Sequence, residues 1–315
     1  MQGLELSERY FTEIGLSMLA EKYPDYRDRI AAGLVGEGSE CFGFDDVISR
    51  DHDWGPSFCL WLSREDYEAI GASLQNEVDN LPREFRDIEA KKDSCWGRGR
   101  TGVFVIGEFY RRFLGIERVP ASLKEWRAIP EGNLAVATNG RVFMDPAGKF
   151  TEFRERLKEF YPEDIRLKKI ASRCMSMAQS GQYNFLRCAR RGEYLAAEYA
   201  KSQFAADAIS MVFLLNRRYR PFYKWMHRAL KTLPILGNTV FELLFRLFDA
   251  TEPGAENLKY ERNNNLIEQV CLCVIQELQR EGLSNSISDF LLDHGPQVQL
   301  KIEDPMIRKI PVWLE

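Results

Sequence analysis

Histidine is scarce and paired cysteine is missing. His occurs only at positions 52, 227 and 294 of 315 residues, and the seven cysteines (41, 59, 95, 174, 188, 271 and 273) include no CxxC pair. That pattern argues against a zinc centre and against a disulfide framework, and it suits free thiols in a reducing compartment. Cys271 and Cys273, two apart on a helical pattern, point in different directions and make a poor metal clip. No strong charge of one sign is present either. Lys and Arg number 43 against 47 Asp and Glu, a net charge of -4, so a long nucleic acid or an anionic membrane is not the expected partner. Apolar runs are short: those near Phe213 to Leu215 and Val240 to Phe248 are broken by Arg, Asn or Glu well before the ~20 residues of a membrane span. The opening stretch MQGLELSERYFTEIG has neither a charged n-region before an apolar run nor a small-residue cleavage site, so the expected location is the cytoplasm. No internal repeat or low-complexity run occurs, and oligomeric state is not legible.

What is present suffices for two ordinary domains, with 45% hydrophobic and 29% charged residues. Residues 5 to 33 read as helical, Leu4 to Leu19 and then Pro24 to Ala32, with Gly33 placed to end the second helix. Strand signals follow at Leu34 to Gly38, Asp51 to Leu62, Val103 to Ile106, Leu134 to Thr138 and Arg141 to Met144. The last two flank Asn139-Gly140, a strong hairpin dipeptide. Ser63 to Leu81 reads as a helix opened by the Ser63-x-x-Asp66 capping pattern. From about Thr151 strand signals stop. Periodic segments at 151–160, 163–180, 183–218, 221–232, 237–248 and 257–282 predict a helical bundle, and Val298 to Glu315 has the alternation of an edge strand. The fold class expected is α+β: residues 1–150 an α/β domain with a small mixed sheet, residues 151–315 a helical substrate-binding domain, with Pro146-Ala147-Gly148 near the boundary.

The chemistry concentrates between Gly36 and Pro56. If a strand begins at Asp51, then Asp51 and Asp53 project on one face and His52 and Trp54 on the other. Two converging carboxylates repel unless a cation compensates them, and hard oxygen ligands suit Mg²⁺, which also binds substrate phosphates. Gly38-Ser39, at the end of a strand, offers backbone N–H groups and a hydroxyl to a phosphate. An anion cradle and a metal site about a dozen residues apart, set between helix and strand patterns, make a minimal phosphoryl-transfer site. An isolated DxD or Gly-Ser is more often a turn; the combination is what points to function.

Gly38-Ser39 followed by Asp51-x-Asp53 resembles the signature of the DNA polymerase β-like nucleotidyltransferase superfamily, whose small antibiotic-modifying members, the aminoglycoside nucleotidyltransferases, join such a domain to a helical one. The segments GSECFGFDDVISRDHDWGP (38–56), ATNGRVFMDPAGKFTEFRERLKEFYPEDI (137–165), SGQYNFLRCARRGEY (180–194) and NRRYRPFYKW (216–225) resemble a bacterial family carrying a DUF4037 domain, over roughly residues 30 to 230. The resemblance implies transfer of a nucleoside monophosphate from an ATP-like NTP to an acceptor, with release of pyrophosphate. Asp51 and Asp53 would hold two Mg²⁺ ions on the order of 3.5–4 Å apart, Gly38 and Ser39 would hold the outer phosphates, and Arg50, Arg187 and Lys224 would complete the nucleotide site. The superfamily has a third carboxylate on a neighbouring strand. Here Phe104 occupies the centre of the Val103–Val105 strand, which leaves Glu108 as the choice and Asp145, more in character as a turn residue, behind it.

In the antibiotic-modifying members the general base is a Glu of the helical domain. Glu193 and Glu198 are the candidates here, beside Arg187, Arg190 and Arg191, although a charged helix face explains either one alone. Between Asp207 and Glu242 there is no acid, while Arg217, Arg218, Arg220, Lys224, Arg228 and Lys231 are interleaved with Tyr219, Phe222, Tyr223 and Trp225. Such a surface can stack a base and hold a triphosphate; it can also be a bundle surface of snorkelling side chains. His52-Asp53 is not an HD phosphohydrolase motif, because no His precedes it. Gly36-x-Gly38 is not a dinucleotide loop, because Cys41 stands at the third glycine position. The rival of another class is a nucleotide-sensing or protein-interaction module that keeps the fold without transferring anything. The acceptor, expected to be a small molecule, is not legible.

Overall fold

The computed structural model describes residues 2–50, 53–89, 99–249 and 256–315. The chain divides into two compact units, one of residues 1–120 with 129–159 and one of 121–128 with 160–315.

The first unit opens on α1 (Gly3–Tyr10), which runs through a π turn (Phe11–Gly15) into α2 (Leu16–Lys22). Then follow β1 (Ala31–Leu34), β2 (Cys59–Leu62), α3 (Arg64–Asp79), the short hairpin β3 (Glu84–Phe85) and β4 (Ile88–Glu89), β5 (Gly102–Val105) and α4 (Ile106–Leu114). Helix α5 (Leu123–Ala128) belongs to the second unit, after which α6 (Glu131–Thr138), β6 (Arg141–Met144) and α7 (Lys149–Lys158) complete the first. The main sheet is mixed, in the order β5-β2-β1-β6. Strand β1 is antiparallel to β2 and to β6, and β2 is parallel to β5.

Both faces of the sheet are covered, because consecutive residues of β2 feed different cores. Leu60 and Leu62 join Leu6, Phe11, Leu19 and Leu74, packed with α1, α2 and α3. Trp61 points the other way, stacked on Phe150 at 3.8 Å and edge-on to Phe109 at 5.2 Å. Ser63 caps α3 as expected: its Oγ accepts from the Asp66 N–H at 3.2 Å.

Several sequence expectations are corrected. Pro24 to Ala32 is not a helix. A short 3-10 turn at Arg27–Arg29 leads straight into β1, and Gly33 lies inside that strand, where a Cβ would sit 2.4 Å from the Arg141 carbonyl oxygen. Strand β1 ends at Leu34 rather than starting there. Strand β2 is confined to Cys59–Leu62, because the left-handed φ of 49° at Asp53 and the φ of 147° at Gly55, with Pro56 next, break the extended chain before it. Leu134 to Thr138 lies in helix α6, not in a strand. Asn139-Gly140 therefore joins a helix to β6, and β6 pairs with β1. The first compact unit runs on to Glu159 with residues 121–128 excepted, and within it α7 delivers Phe150 and Phe153 to the aromatic stack of Trp61 and Tyr110.

The second unit is helical, as the periodicity predicts: α8 (Glu163–Met177) with a π-turn extension (Ala178–Phe185), α9 (Leu186–Arg190), α10 (Tyr194–Leu215), α11 (Tyr223–Leu230), α12 (Gly237–Phe248), α13 (Glu256–Arg280), α14 (Gly295–Leu300) and α15 (Pro305–Arg308). The expected segment 183–218 is interrupted at Gly192, whose φ is 78°. Val298 to Glu315 forms no strand; it makes helical turns, and its carbonyls at Ile310, Pro311 and Trp313 are taken up by Lys168 and Ser172 of α8. Among the described residues no helix is long and apolar enough to cross a membrane.

Candidate functional site

The loop after β1 carries the most unusual backbone near the motif. Gly36 and Gly38 have φ of 125° and 127°, a region that L side chains rarely enter. Gly36 is clamped by a distant side chain: its N–H donates to Asn139 Oδ1 at 2.9 Å, and Asn139 Nδ2 donates to its carbonyl at 2.7 Å. Gly140, next in the chain, donates to the Cys41 carbonyl at 2.8 Å. Ser39 then opens a 3-10 turn over Glu40–Phe42. Among the described residues the N–H groups of Gly38 and Ser39 have no acceptor. The loop is thus fixed from its flanks, with two donors left over.

Arg100 organises the other side. Its guanidinium donates to the Glu37 carbonyl at 2.6 and 3.1 Å, to Glu40 Oε1 at 2.6 Å and to the Asp53 carbonyl at 2.9 Å. A Cβ on Gly38 would lie 2.0 Å from Arg100 Nη2 and 2.6 Å from Glu40 Oε1, so glycine is what admits the pair. Burial raises the Glu40 carboxyl above its usual range, and the Arg100 charge works against that rise. The neighbouring thiols are no nucleophiles: burial lifts Cys41 well above the ordinary thiol value and Cys59 to about 12. Asp45 closes the loop, accepting from the Gly3 N–H at 2.8 Å and from Trp54 Nε1 at 3.2 Å.

Of the expected site residues, Gly38, Ser39 and Asp53 are brought to one loop system through Arg100. Asp51 lies outside the described residues. Asp53 stands on a left-handed bend six residues before β2, so the alternation argument for its side chain does not apply. Arg50 lies over the Trp54 ring at 4.5 Å. Glu108, on the first turn of α4, shares Arg64 with Glu117, each at 3.1 Å. Asp145 is a turn residue, accepting from the Thr151 N–H at 2.7 Å at the start of α7. Among the described residues no group of three His, Cys, Asp or Glu side chains is placed to hold a metal ion.

The expected residues of the second unit are spread over α9, α10 and α11. Glu193 stands at the N-terminal cap of α10, and Glu198, one and a half turns on, is paired with Lys201 at 2.6 Å. Arg187 covers the Tyr183 ring at 4.5 Å, and Lys224 lies exposed over Trp225 at 4.9 Å. The basic and aromatic stretch is split as well. Arg217 pairs with Glu163 at 2.8 Å, Tyr219 packs between Phe160 and Tyr161, and Phe222 and Tyr223 are exposed. Arg100, Glu40 and Asn139 were not singled out from the sequence. Nothing in the local pattern distinguishes Arg100 from its neighbours, and Asn139 carried the stronger signal of a hairpin.

Residues 126–226 match the DUF4037 family model, a domain of unknown function. The matched stretch includes α6, β6 and α7 of the first unit and α8 to α10 of the second; Asn139 lies in it, whereas Gly38, Ser39 and Asp53 do not. A nucleotidyltransferase-like protein from Exiguobacterium sibiricum 255-15 aligns in structure over 87% of this chain and 79% of its own, with 10% identity and a TM-score of 0.37. No curated protein matches the sequence.

Proposed function

We propose that the first unit binds a nucleoside triphosphate, with Gly38 and Ser39 holding its outer phosphates, and that the chain transfers a nucleoside monophosphate to an acceptor with release of pyrophosphate. The observation that carries this reading is the pinned loop after β1, with its two glycines at left-handed φ and its unpaired Gly38 and Ser39 N–H groups. Fixed donors cost no reorganisation when an anion arrives. Arg100 supplies a permanent charge beside them. Asp51 and Asp53 are proposed as the Mg²⁺ ligands, and Mg²⁺ when bound would neutralise phosphate charge. Asp51 lies outside the described residues.

One observation favours the second reading, a nucleotide-binding module without transfer. Glu108 is tied to Arg64 and Asp145 to the Thr151 N–H, so both candidates for a third carboxylate are engaged elsewhere. Calorimetric titration with Mg-ATP tests the binding shared by both readings. Wild type is expected to bind, and Ser39→Glu, which puts a negative charge at the cradle, is expected to abolish binding with its unfolding midpoint unchanged. Equal binding by the two proteins would place the phosphates elsewhere.

A further inference from the structure

Away from the loop after β1, the helical unit contains a cavity of its own. It opens among the described residues of α10, α11 and α12 with a volume of about 540 Å³, a size typical of small-molecule sites. The sequence of α10 accounts for the space. Ser202, Ala205, Ala206 and Ile209, which line it, follow the i, i+3, i+4, i+7 spacing of one helix face. Three of these four side chains are short, so the face is left unfilled. The rest of the wall comes from Met226 and His227 of α11 and from Leu244, Phe245 and Phe248 of α12.

That wall is a run of near-parallel rings. His227 stacks on Phe241 at 4.3 Å with 16° between the planes, and Phe245 follows Phe241 at 6.4 Å and 14°. His227 Nε2 is shielded from solvent and has no hydrogen-bond partner among the described residues, so the imidazole is placed by stacking rather than by that nitrogen. The stack ends at Phe245, which lines the cavity with 57% of its surface exposed. Phe248, one turn on, is 47% exposed, and Lys201, paired with Glu198 at 2.6 Å, lies over its ring at 4.8 Å. An apolar guest in the cavity takes both rings out of water. A planar aromatic guest also adds a further member to the stack, in the offset or edge-on geometry that aromatic pairs favour, and Met226 offers the sulfur contact that ring edges favour.

We propose that this cavity binds a planar aromatic small molecule, seated between the short side chains of α10 and the rings of Phe245 and Phe248. An aliphatic guest of the same size would bury a similar area but could not continue the ring stack. Every residue of the site belongs to the helical unit, so the proposal stands independently of nucleotide binding by the first unit.

The test is calorimetric titration of the full chain with 2-naphthol and with decahydro-2-naphthol, which keeps the carbon skeleton and the hydroxyl but is puckered instead of flat. Wild type is expected to bind the flat probe about fivefold more tightly than the puckered one. Ala206→Phe, which fills the cavity from the short face of α10, is expected to abolish binding of both. Phe245→Leu, at a half-exposed position where folding tolerates the change, keeps the wall apolar and is expected to bring the two affinities together. No binding of 2-naphthol by wild type, equal affinity of wild type for both probes, or undiminished binding by a folded Ala206→Phe protein overturns the proposal. Should Ala206→Phe fail to fold, a preference for the flat probe that persists in Phe245→Leu overturns it equally.

Discussion

Asn139 and Gly36 form a closed ring of two hydrogen bonds across 103 residues of sequence, at 2.9 and 2.7 Å. The side-chain amide imitates a strand neighbour for a glycine that has left the sheet, and it sets the left-handed φ from which the Gly38-Ser39 loop departs. Asn139→Ala removes both partners of a buried backbone unit. It is expected to cost roughly 1–3 kcal/mol of stability, read by denaturant unfolding, and to weaken Mg-ATP binding more than its stability loss accounts for. A variant with wild-type nucleotide affinity would show that the clamp supports the fold alone.

Gly38 and Arg100 are sterically coupled. At Gly38 an added methyl group enters the space of Arg100 Nη2 and also suffers the φ of 127°. Gly38→Ala is expected to cost on the order of 1–3 kcal/mol. Because the neighbour is the far end of a flexible side chain, Arg100→Ala should relieve part of that cost. A double-mutant cycle by chemical denaturation measures the coupling, expected at 0.5 kcal/mol or more, about the lower limit for residues in contact. Strict additivity would contradict the geometry.

Phe150 decides to which unit α7 belongs. It is fully buried and stacks on Trp61 at 3.8 Å. Phe150→Ala is therefore expected to destabilise the first unit by about 3–5 kcal/mol, seen as an early transition in thermal unfolding. A loss under about 1 kcal/mol would remove α7 from that core.

Lys168 should leave a signature in pH dependence. It is buried, and burial first and the Arg127 charge second push its pKa down to about 8 from an ordinary 10.5. Between those values the unfolded chain holds a proton on Lys168 that the folded chain has released, so raising the pH through this window favours the folded state. The stability of wild type relative to Lys168→Met is expected to rise from pH 8 toward 10.5 and to stay flat below pH 7. Paired urea titrations give the slope, and a flat difference across the window would mean that Lys168 is charged throughout.

The sequence was readable where one residue or one period decides the structure. Ser63 and Asp66 mark the start of α3, and the 3.6-residue period from Thr151 onward predicts the helices of the second unit. Strand limits were not readable in the same way. Ile30 to Val35 and Phe58 to Leu62 are buried on both faces and show no alternation, so nothing local fixes where pairing begins. The Gly38-Ser39 loop was legible because glycine and serine are named by their chemistry. The residues that hold it, Arg100 and Asn139, act across more than 60 residues of sequence and are visible only once β1, β5 and β6 are assembled.

The most direct test of nucleotidyl transfer is pyrophosphate release from ATP with Mg²⁺, in the presence of pooled small-molecule acceptors, compared between wild type and Asp51→Asn/Asp53→Asn. Metal-dependent release by wild type, and its loss in the double variant with the fold intact, are expected. Mg-ATP binding by wild type without release under any acceptor pool would contradict transfer and leave a nucleotide-binding module, and release undiminished in the variant would contradict the assignment of both carboxylates.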